Sequence, residues 1–340
     1  MKASLKALLL VLALGLLGWY IAKLGLANVF DAITKLGVWA PLVLAPYFVV
    51  YIIDCIAWSQ TLPSRSVPFL TRFRIRWAGE SVNNLVPTAY VGGEAAKVVL
   101  LRQHGISAQD GAVAAVVSKT AQSVAQLFFI LSASVVFLQL AKDQPGLRLA
   151  IFIILTGGAA AIVALFWIQK VGLFRMFWGL VRLLPWKSRR LEEKKTKLLD
   201  LDHTIFAFYR NDSVRFYRST LLYLCGWALD TVEIYLVAYL LGVPVTWSQA
   251  LVMEAFTGVA KALGMWLPGS LGVQESGIIL IGKLVGLPDT FVAAYALIRR
   301  LRELVFAGVG MLLFYSGRVE SQKNPPGKKD YINDTVKDAQ

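Results

Sequence analysis

Two glutamates stand at matching places in a largely apolar chain. Glu94 follows Pro87 by seven residues, with Gly92 and Gly93 just before it; Glu275 follows Pro268 by seven, with Gly269 and Gly272 between. Proline cannot continue a helix and glycine frees the backbone, so each run predicts a broken helix whose new first turn carries a carboxylate. That carboxylate has two uses. It caps free N–H groups at the positive end of the helix dipole, or it faces a ligand held at the break. The half-helix N-terminus, with roughly half a positive charge, suits an anion such as a lipid phosphate, whereas the glutamate suits a cationic headgroup such as an amine. Glu80, Asn83 and Asn84 lie one and two turns ahead of Pro87. They either line the same site or form a hydrogen-bond network joining the two breaks.

Other ionisable residues fall inside or at the edge of apolar runs: Lys97, Lys119, Lys261, Arg299, Arg300, Arg302 and Glu303. A charge at the centre of a bilayer costs about 2.5–3.5 kcal/mol on insertion scales, so each needs a partner or a function. Arg299 and Glu303 are four apart and share a helix face, which predicts an ion pair. Lys119 and Arg300 are the candidates for gripping a lipid phosphate. Asp54, Asp230 and Glu233 are either a proton or cation coupling site or acids buried in structural pairs. Cys55 and Cys225 form no disulfide framework, and His104 and His203 have no second metal ligand at useful spacing. No Ser/His constellation or nucleotide-binding loop occurs. The expectation is a protein with no catalytic residues, no metal and no cofactor.

Such residues need a membrane around them and helices to hold them. Of 340 residues 57% are hydrophobic and 16% charged, too few polar groups to cover a soluble core of that size. Runs of about 20 apolar residues span a bilayer. They predict spans near 5–22, 39–60, 108–140, 149–169, 216–241 and 289–316, with broken segments near 78–103 and 249–284. Residues 2–22 lack a small-x-small cleavage site and read as an uncleaved first span. The formal charge of +14 sits beside apolar segments, which points to anionic lipid headgroups and away from nucleic acid. Tryptophans and tyrosines such as Trp19, Tyr20, Trp39, Trp77 and Trp247 read as interfacial belts.

Charge also orients the chain. Between Lys170 and Arg218 there are twelve Lys/Arg against five Asp/Glu, and Arg65, Arg72, Arg74 and Arg76 crowd residues 65–76. Both stretches are expected in the cytoplasm. The charge-poor connections at 23–39, 142–148 and 242–249 are expected outside. These sides agree if both broken segments are re-entrant hairpins and both termini are cytoplasmic. A shift of 181 residues aligns the two breaks without gaps, and pairs Arg102 with Lys283, Gly105 with Gly286, Ala112 with Ala293 and Lys119 with Arg300. Each half then reads span, span, broken hairpin, span. Three crossings per half make the second half enter from the opposite side, an inverted-topology repeat of the kind secondary transporters use. The alternative is that proline and glycine merely kink ordinary helices. The expected organisation is one all-α polytopic membrane domain over 1–317. Repeat A covers 5–141 and repeat B 149–316, with a basic loop at 170–215 inserted in repeat B and a polar tail at 318–340.

The run from Arg76 to Pro87 (RWAGESVNNLVP), followed by Val91-Gly92-Gly93-Glu94, resembles the flippase-like membrane domain of the lysylphosphatidylglycerol synthase family. So does Leu267-Pro268-Gly269-Ser270-Leu271-Gly272-Val273-Gln274-Glu275, with Arg299-Arg300-Leu301-Arg302-Glu303 downstream. The Glu-x-x-Asn-Asn-x-x-Pro pattern is similar to a subgroup associated with hopanoid biosynthesis. The resemblance covers residues 5–316. It implies a bacterial inner-membrane protein that moves or presents a modified lipid. Only a polar tail is expected after residue 316, in place of the aminoacyl-transferase domain of the bifunctional synthases, so lysyl transfer is not expected. Where many members place Arg and an acid after the first motif, this chain has Lys119 and Gln122. Three functions are in play: a flippase for a phospholipid, polyprenyl-linked or hopanoid-type lipid; an accessory protein handing a lipid intermediate to a partner enzyme, with 187–197 as docking surface; and an integral-membrane lipid transferase. Membrane lipids are the expected partners.

Overall fold

The computed structural model describes residues 34–63, 67–86, 91–140, 145–183 and 195–323. The expected first span, the tip at Pro87, the most basic stretch at 184–194 and the tail from 324 lie outside the described residues. Among the described residues, every element is helical. A 3₁₀ stretch, Gly37–Val43, leads into α1 (Leu44–Ser59); then come α2 (Phe69–Leu85), α3 (Val91–Arg102), α4 (Ala108–Leu140) and α5 (Pro145–Val171). α6 (Leu173–Leu183) and α7 (Lys195–Asn211) precede α8 (Ser213–Leu240). The chain closes with α9 (Trp247–Leu263), a 3₁₀ turn at Pro268–Ser270, α10 (Val273–Leu284) and α11 (Asp289–Lys323).

Four described stretches are long and apolar enough to cross a membrane: Thr34–Ser59, Ala108–Leu140, Pro145–Leu165 and Ser213–Leu240. α11 has 35 residues, ample length, but Arg299, Arg300, Arg302 and Glu303 interrupt its apolar run. The chain is an all-α polytopic membrane protein. α3 and α10 have 12 residues each, about 18 Å at 1.5 Å per residue, short of the roughly 30 Å of hydrocarbon. Neither crosses. α3 instead packs back on α2, and α10 on α9, making two helical hairpins.

The 181-residue shift recurs in the architecture. α4 begins at Ala108 and α11 at Asp289, 181 apart, and α3 and α10 start and end within one residue of that offset. Gly105 and Gly286, also 181 apart, take left-handed backbone at φ 81° and 80°. Each is the glycine that closes a short helix before the next long one starts.

Two expectations need correction. The first hairpin begins at Phe69, with Pro68 just ahead of it, rather than near 78. Arg72, Arg74 and Arg76 are therefore helical, and Arg76 is buried; a basic run there is the first leg of a hairpin, because a partner carboxylate waits inside. The stretch at 170–215 is largely helix. There Asp202 of α7 accepts the Phe174 N–H (3.0 Å) and the Arg175 N–H (2.8 Å) at the start of α6, satisfying N–H groups that have no intrahelical partner.

The two halves interlock. α8 packs on α1, α4 and α9, and α11 packs on α2 and α10. Small residues set these distances, as in membrane bundles generally. A Cβ on Gly310 would meet Ser81 Oγ at 1.9 Å, and one on Gly93 would meet the Gly79 carbonyl oxygen at 2.2 Å. The tip of the second hairpin reaches the first: a Cβ on Gly269 would sit 3.2 Å from the Asn84 carbonyl oxygen.

Candidate functional site

Beside this meeting of hairpins lies a partly open cavity of about 300 Å³, lined by α1, α2, α4, α8, α9 and α11. Five cations (Arg76, Lys119, Lys261, Arg299, Arg302) and three acids (Asp54, Glu80, Asp230) line it, and Glu233, Glu254 and Glu303, outside the lining, pair with three of those cations. Tyr47, Gln122 and Gln126 add polar groups, and Trp227 and Met265 apolar surface.

Buried ions need partners in low dielectric, and most here have them across helices. Arg76 of α2 donates to Asp54 of α1 at 2.5 Å and approaches Tyr223 Oη at 3.5 Å; Tyr223 Oη in turn bonds Ser118 Oγ at 2.6 Å. Arg302 donates to Glu233 and lies 3.6 Å above the Tyr47 ring. Arg299 forks onto both oxygens of Glu254, with NH2 at 2.9 Å from Oε1, and donates to Tyr295 Oη at 3.0 Å. The expected Arg299–Glu303 pair is thus secondary, at 4.0 Å. The fork geometry favours a bidentate carboxylate, and Glu303 already accepts from Lys261 at 3.2 Å, Gln274 at 3.0 Å and Arg300 at 2.8 Å.

The sequence candidates divide between the cavity and the hairpin joints. Glu80 lines the cavity, where Lys119 and Arg76 are the cations acting on it most strongly. Lys119 lines it too, with its side chain 35% exposed, and donates to Gln122 at 2.8 Å. Lys261, from the other half, is 23% exposed. Glu94 accepts from Lys97 at 2.7 Å and lies 3.9 Å from Lys119. Asn83 Oδ1 accepts the Gly93 N–H at 2.8 Å, tying α2 to α3; Gly92 is its half-buried neighbour. Asn84 meets the second hairpin through its backbone, beside Gly269. Arg300 lies apart from the lining. It is held by Glu275 (2.6 Å), Glu303 (2.8 Å) and the Gly269 carbonyl (2.8 Å), its side chain 3% exposed. Glu275 also accepts the Gly272 N–H at 2.8 Å, the capping geometry. The turn carrying Pro268 and Gly269 closes this joint, with Gly269 at φ 56°.

Contacts repeat along with the elements. Lys119 with Gln122 and Arg300 with Glu303 are each 2.8 Å and three residues apart, and each cation also approaches the hairpin glutamate of its own half. Reading the sequence alone missed Arg76, Tyr223 and Glu254 as site residues. An acid within the apolar run of α9 is the signal that points to Glu254; nothing local marks Tyr223. Among the described residues no group of three His, Cys, Asp or Glu could hold a metal ion.

Comparison with known proteins bears on the lineage of this arrangement. The chain is similar to a "UPF0104 membrane protein" of Methanothermobacter thermautotrophicus (strain Delta H), 24% identical over 310 residues, covering 87% of this chain and 90% of that protein. Residues 6–310 match the lysylphosphatidylglycerol synthase TM region, a span that takes in both hairpins and every residue lining the cavity, so the chain belongs to that family.

Proposed function

We propose that the protein binds the headgroup of a membrane lipid in the cavity between its hairpins and carries it across the bilayer. One observation carries this reading: a charged cavity at the meeting of two helical hairpins, lined by Lys119 from one half and Lys261 from the other. Non-helical backbone and buried charge at membrane depth are tolerated where they line a cavity or a path. Lys119 and Lys261, 35% and 23% exposed, offer cations to a phosphate, and about 300 Å³ is the lower end of small-ligand sites, room for a headgroup while acyl chains stay in hydrocarbon. The family, a membrane region associated by name with a phospholipid, supports a lipid as cargo.

In this reading the hairpins enter from opposite faces as an inverted repeat, with both termini in the cytoplasm and the protein in the inner membrane. The matching helix offsets and the basic stretch at 184–194 support that orientation. The cargo class is a phospholipid, a polyprenyl-linked or a hopanoid-type lipid. The test is reconstitution in vesicles carrying a fluorescent analogue of each class, with outer-leaflet quenching read over time. The reading expects at least one analogue to equilibrate between leaflets faster than in protein-free vesicles, and slower again with Lys119→Gln and Lys261→Gln. Tight lipid retention with no acceleration for any class would replace transport with delivery of a lipid to a partner enzyme.

A further inference from the structure

Three acids inside the spans invite comparison. Asp54 is held by Arg76 and Glu233 by Arg302. Asp230 differs. Among the described residues it has no ion-pair partner; it is 8% exposed, it lines the cavity, and its Oδ1, like Oε1 of Glu233, is buried with no hydrogen-bond partner. An unsatisfied carboxylate oxygen in a low-dielectric site is costly, and a proton is the smallest ligand that would relieve it. From α9, Glu254 opposes a second negative charge; from α11, Arg302 and Arg299 favour it; from α1, Asp54 opposes it. Both arginines already serve other carboxylates. α4 adds Lys119 to the same cavity.

We propose that Asp230 is the proton-binding group of this cavity, taking up one proton as an anionic headgroup enters and returning it when the headgroup leaves. The inference rests on the headgroup reading above. The step balances simply: a proton from water adds to the Asp230 carboxylate, and the same proton returns to water on release. Protonating Asp230 removes one negative charge from the lining, leaving Asp54 and Glu80 as its ionised acids. The more positive cavity binds an anion more tightly. By thermodynamic reciprocity the bound anion favours the protonated carboxyl to the same degree. Lipid and proton would therefore move together.

The test uses the full-length protein in neutral-detergent micelles, titrated calorimetrically with short-chain phosphatidylglycerol in sodium-free choline buffers. Two buffers of different ionisation enthalpy report the protons taken up per headgroup bound, with no need for transport. The wild type is expected to take up a fraction of a proton and to bind about fivefold or more tightly near pH 6 than near pH 8. Asp230→Asn, which fixes a neutral side chain of the same shape, is expected to take up none and to bind near pH 8 as tightly as the wild type near pH 6. Asp230→Glu, which restores a carboxyl, should restore the uptake and guards against a merely misfolded asparagine variant. Equal uptake in wild type and Asp230→Asn would overturn the assignment, as would binding by the wild type with no uptake. Absence of binding by the wild type in all conditions would instead sink the headgroup reading, and this inference with it.

Discussion

Replacing Arg299 by Met, or Glu254 by Leu, should each destabilise the protein far more than replacing both. The side chains are 6% and 0% exposed and joined by two hydrogen bonds. Breaking a buried pair by removing one partner costs about 3–5 kcal/mol, whereas exchanging both partners for apolar groups of similar volume is often close to neutral. The neighbours refine the ranking. Without Glu254, Arg299 keeps Tyr295 at 3.0 Å and Glu303 at 4.0 Å, so Glu254→Leu belongs near 3 kcal/mol. Without Arg299, Glu254 is left buried and charged and the Tyr295 hydroxyl loses its donor, so Arg299→Met belongs near 5 kcal/mol. The double variant should lie within about 2 kcal/mol of wild type, a coupling well above the 0.5–3 kcal/mol common for contacting residues. Thermal unfolding in detergent, followed by tryptophan fluorescence, gives the order: wild type, double variant, Glu254→Leu, Arg299→Met. A double variant as unstable as the two single losses added together would show that the pair is not an energetic unit.

Three further outcomes follow from local geometry. Gly93→Ala places a Cβ 2.2 Å from the Gly79 carbonyl oxygen and 2.3 Å from Asn83 Oδ1; overpacking plus the lost Asn83 hydrogen bond should cost about 2–5 kcal/mol, whereas Gly308→Ala, with nothing within 4 Å, should leave thermal stability unchanged. Lys119→Gln or Lys261→Gln should each weaken binding of an anionic headgroup about tenfold or more, since a charge-assisted contact contributes about 1.5–3 kcal/mol; titration calorimetry reads the loss, and unaltered affinity in both would move the site elsewhere. Asp202→Ala removes both acceptors at the start of α6 and should cost that helix about 1 kcal/mol, seen as faster deuterium exchange at the Phe174 and Arg175 amides with the rest of the protein unaffected.

What could be read in the sequence was what the chain encodes locally. Proline and glycine punctuation marks the two hairpins, because their effect on φ and on backbone donors needs no knowledge of the fold. The spacing of Lys119 to Gln122 and of Arg300 to Glu303 is likewise one helical turn. The pairs that hold the cavity open are different in kind. Asp54–Arg76, Glu254–Arg299 and Glu233–Arg302 join residues 22, 45 and 69 apart. Helical spacing offers Arg299 the wrong partner, Glu303, since the true one arrives from another helix. The basic run at 72–76 reads as a cytoplasmic connection because exposed charge is the usual state of arginine; only the tertiary partner Asp54 makes Arg76 an interior residue. The helices α6 and α7 hide in the same way beneath a high density of charge.

The two halves match in plan and differ in grip. At the position equated by the 181-residue shift, Arg300 has three acceptors and is 3% exposed, whereas Lys119 has a neutral amide at 2.8 Å, a carboxylate at 3.9 Å and 35% exposure. A guanidinium fork fixes several acceptors at once; an ammonium is a point charge on a flexible stem. The second hairpin is therefore locked to α11 more firmly than the first is to α4. In the proposed transport, the rearrangement that exposes the cavity to alternate sides should fall on the first hairpin, with the second as anchor. Lys119→Arg combined with Gln122→Glu copies the tighter half into the looser one. The double variant should unfold at a higher temperature and move labelled lipid more slowly while still binding it. Faster movement, or unchanged movement alongside a clear gain in stability, would refute the assignment of the first hairpin as the moving part.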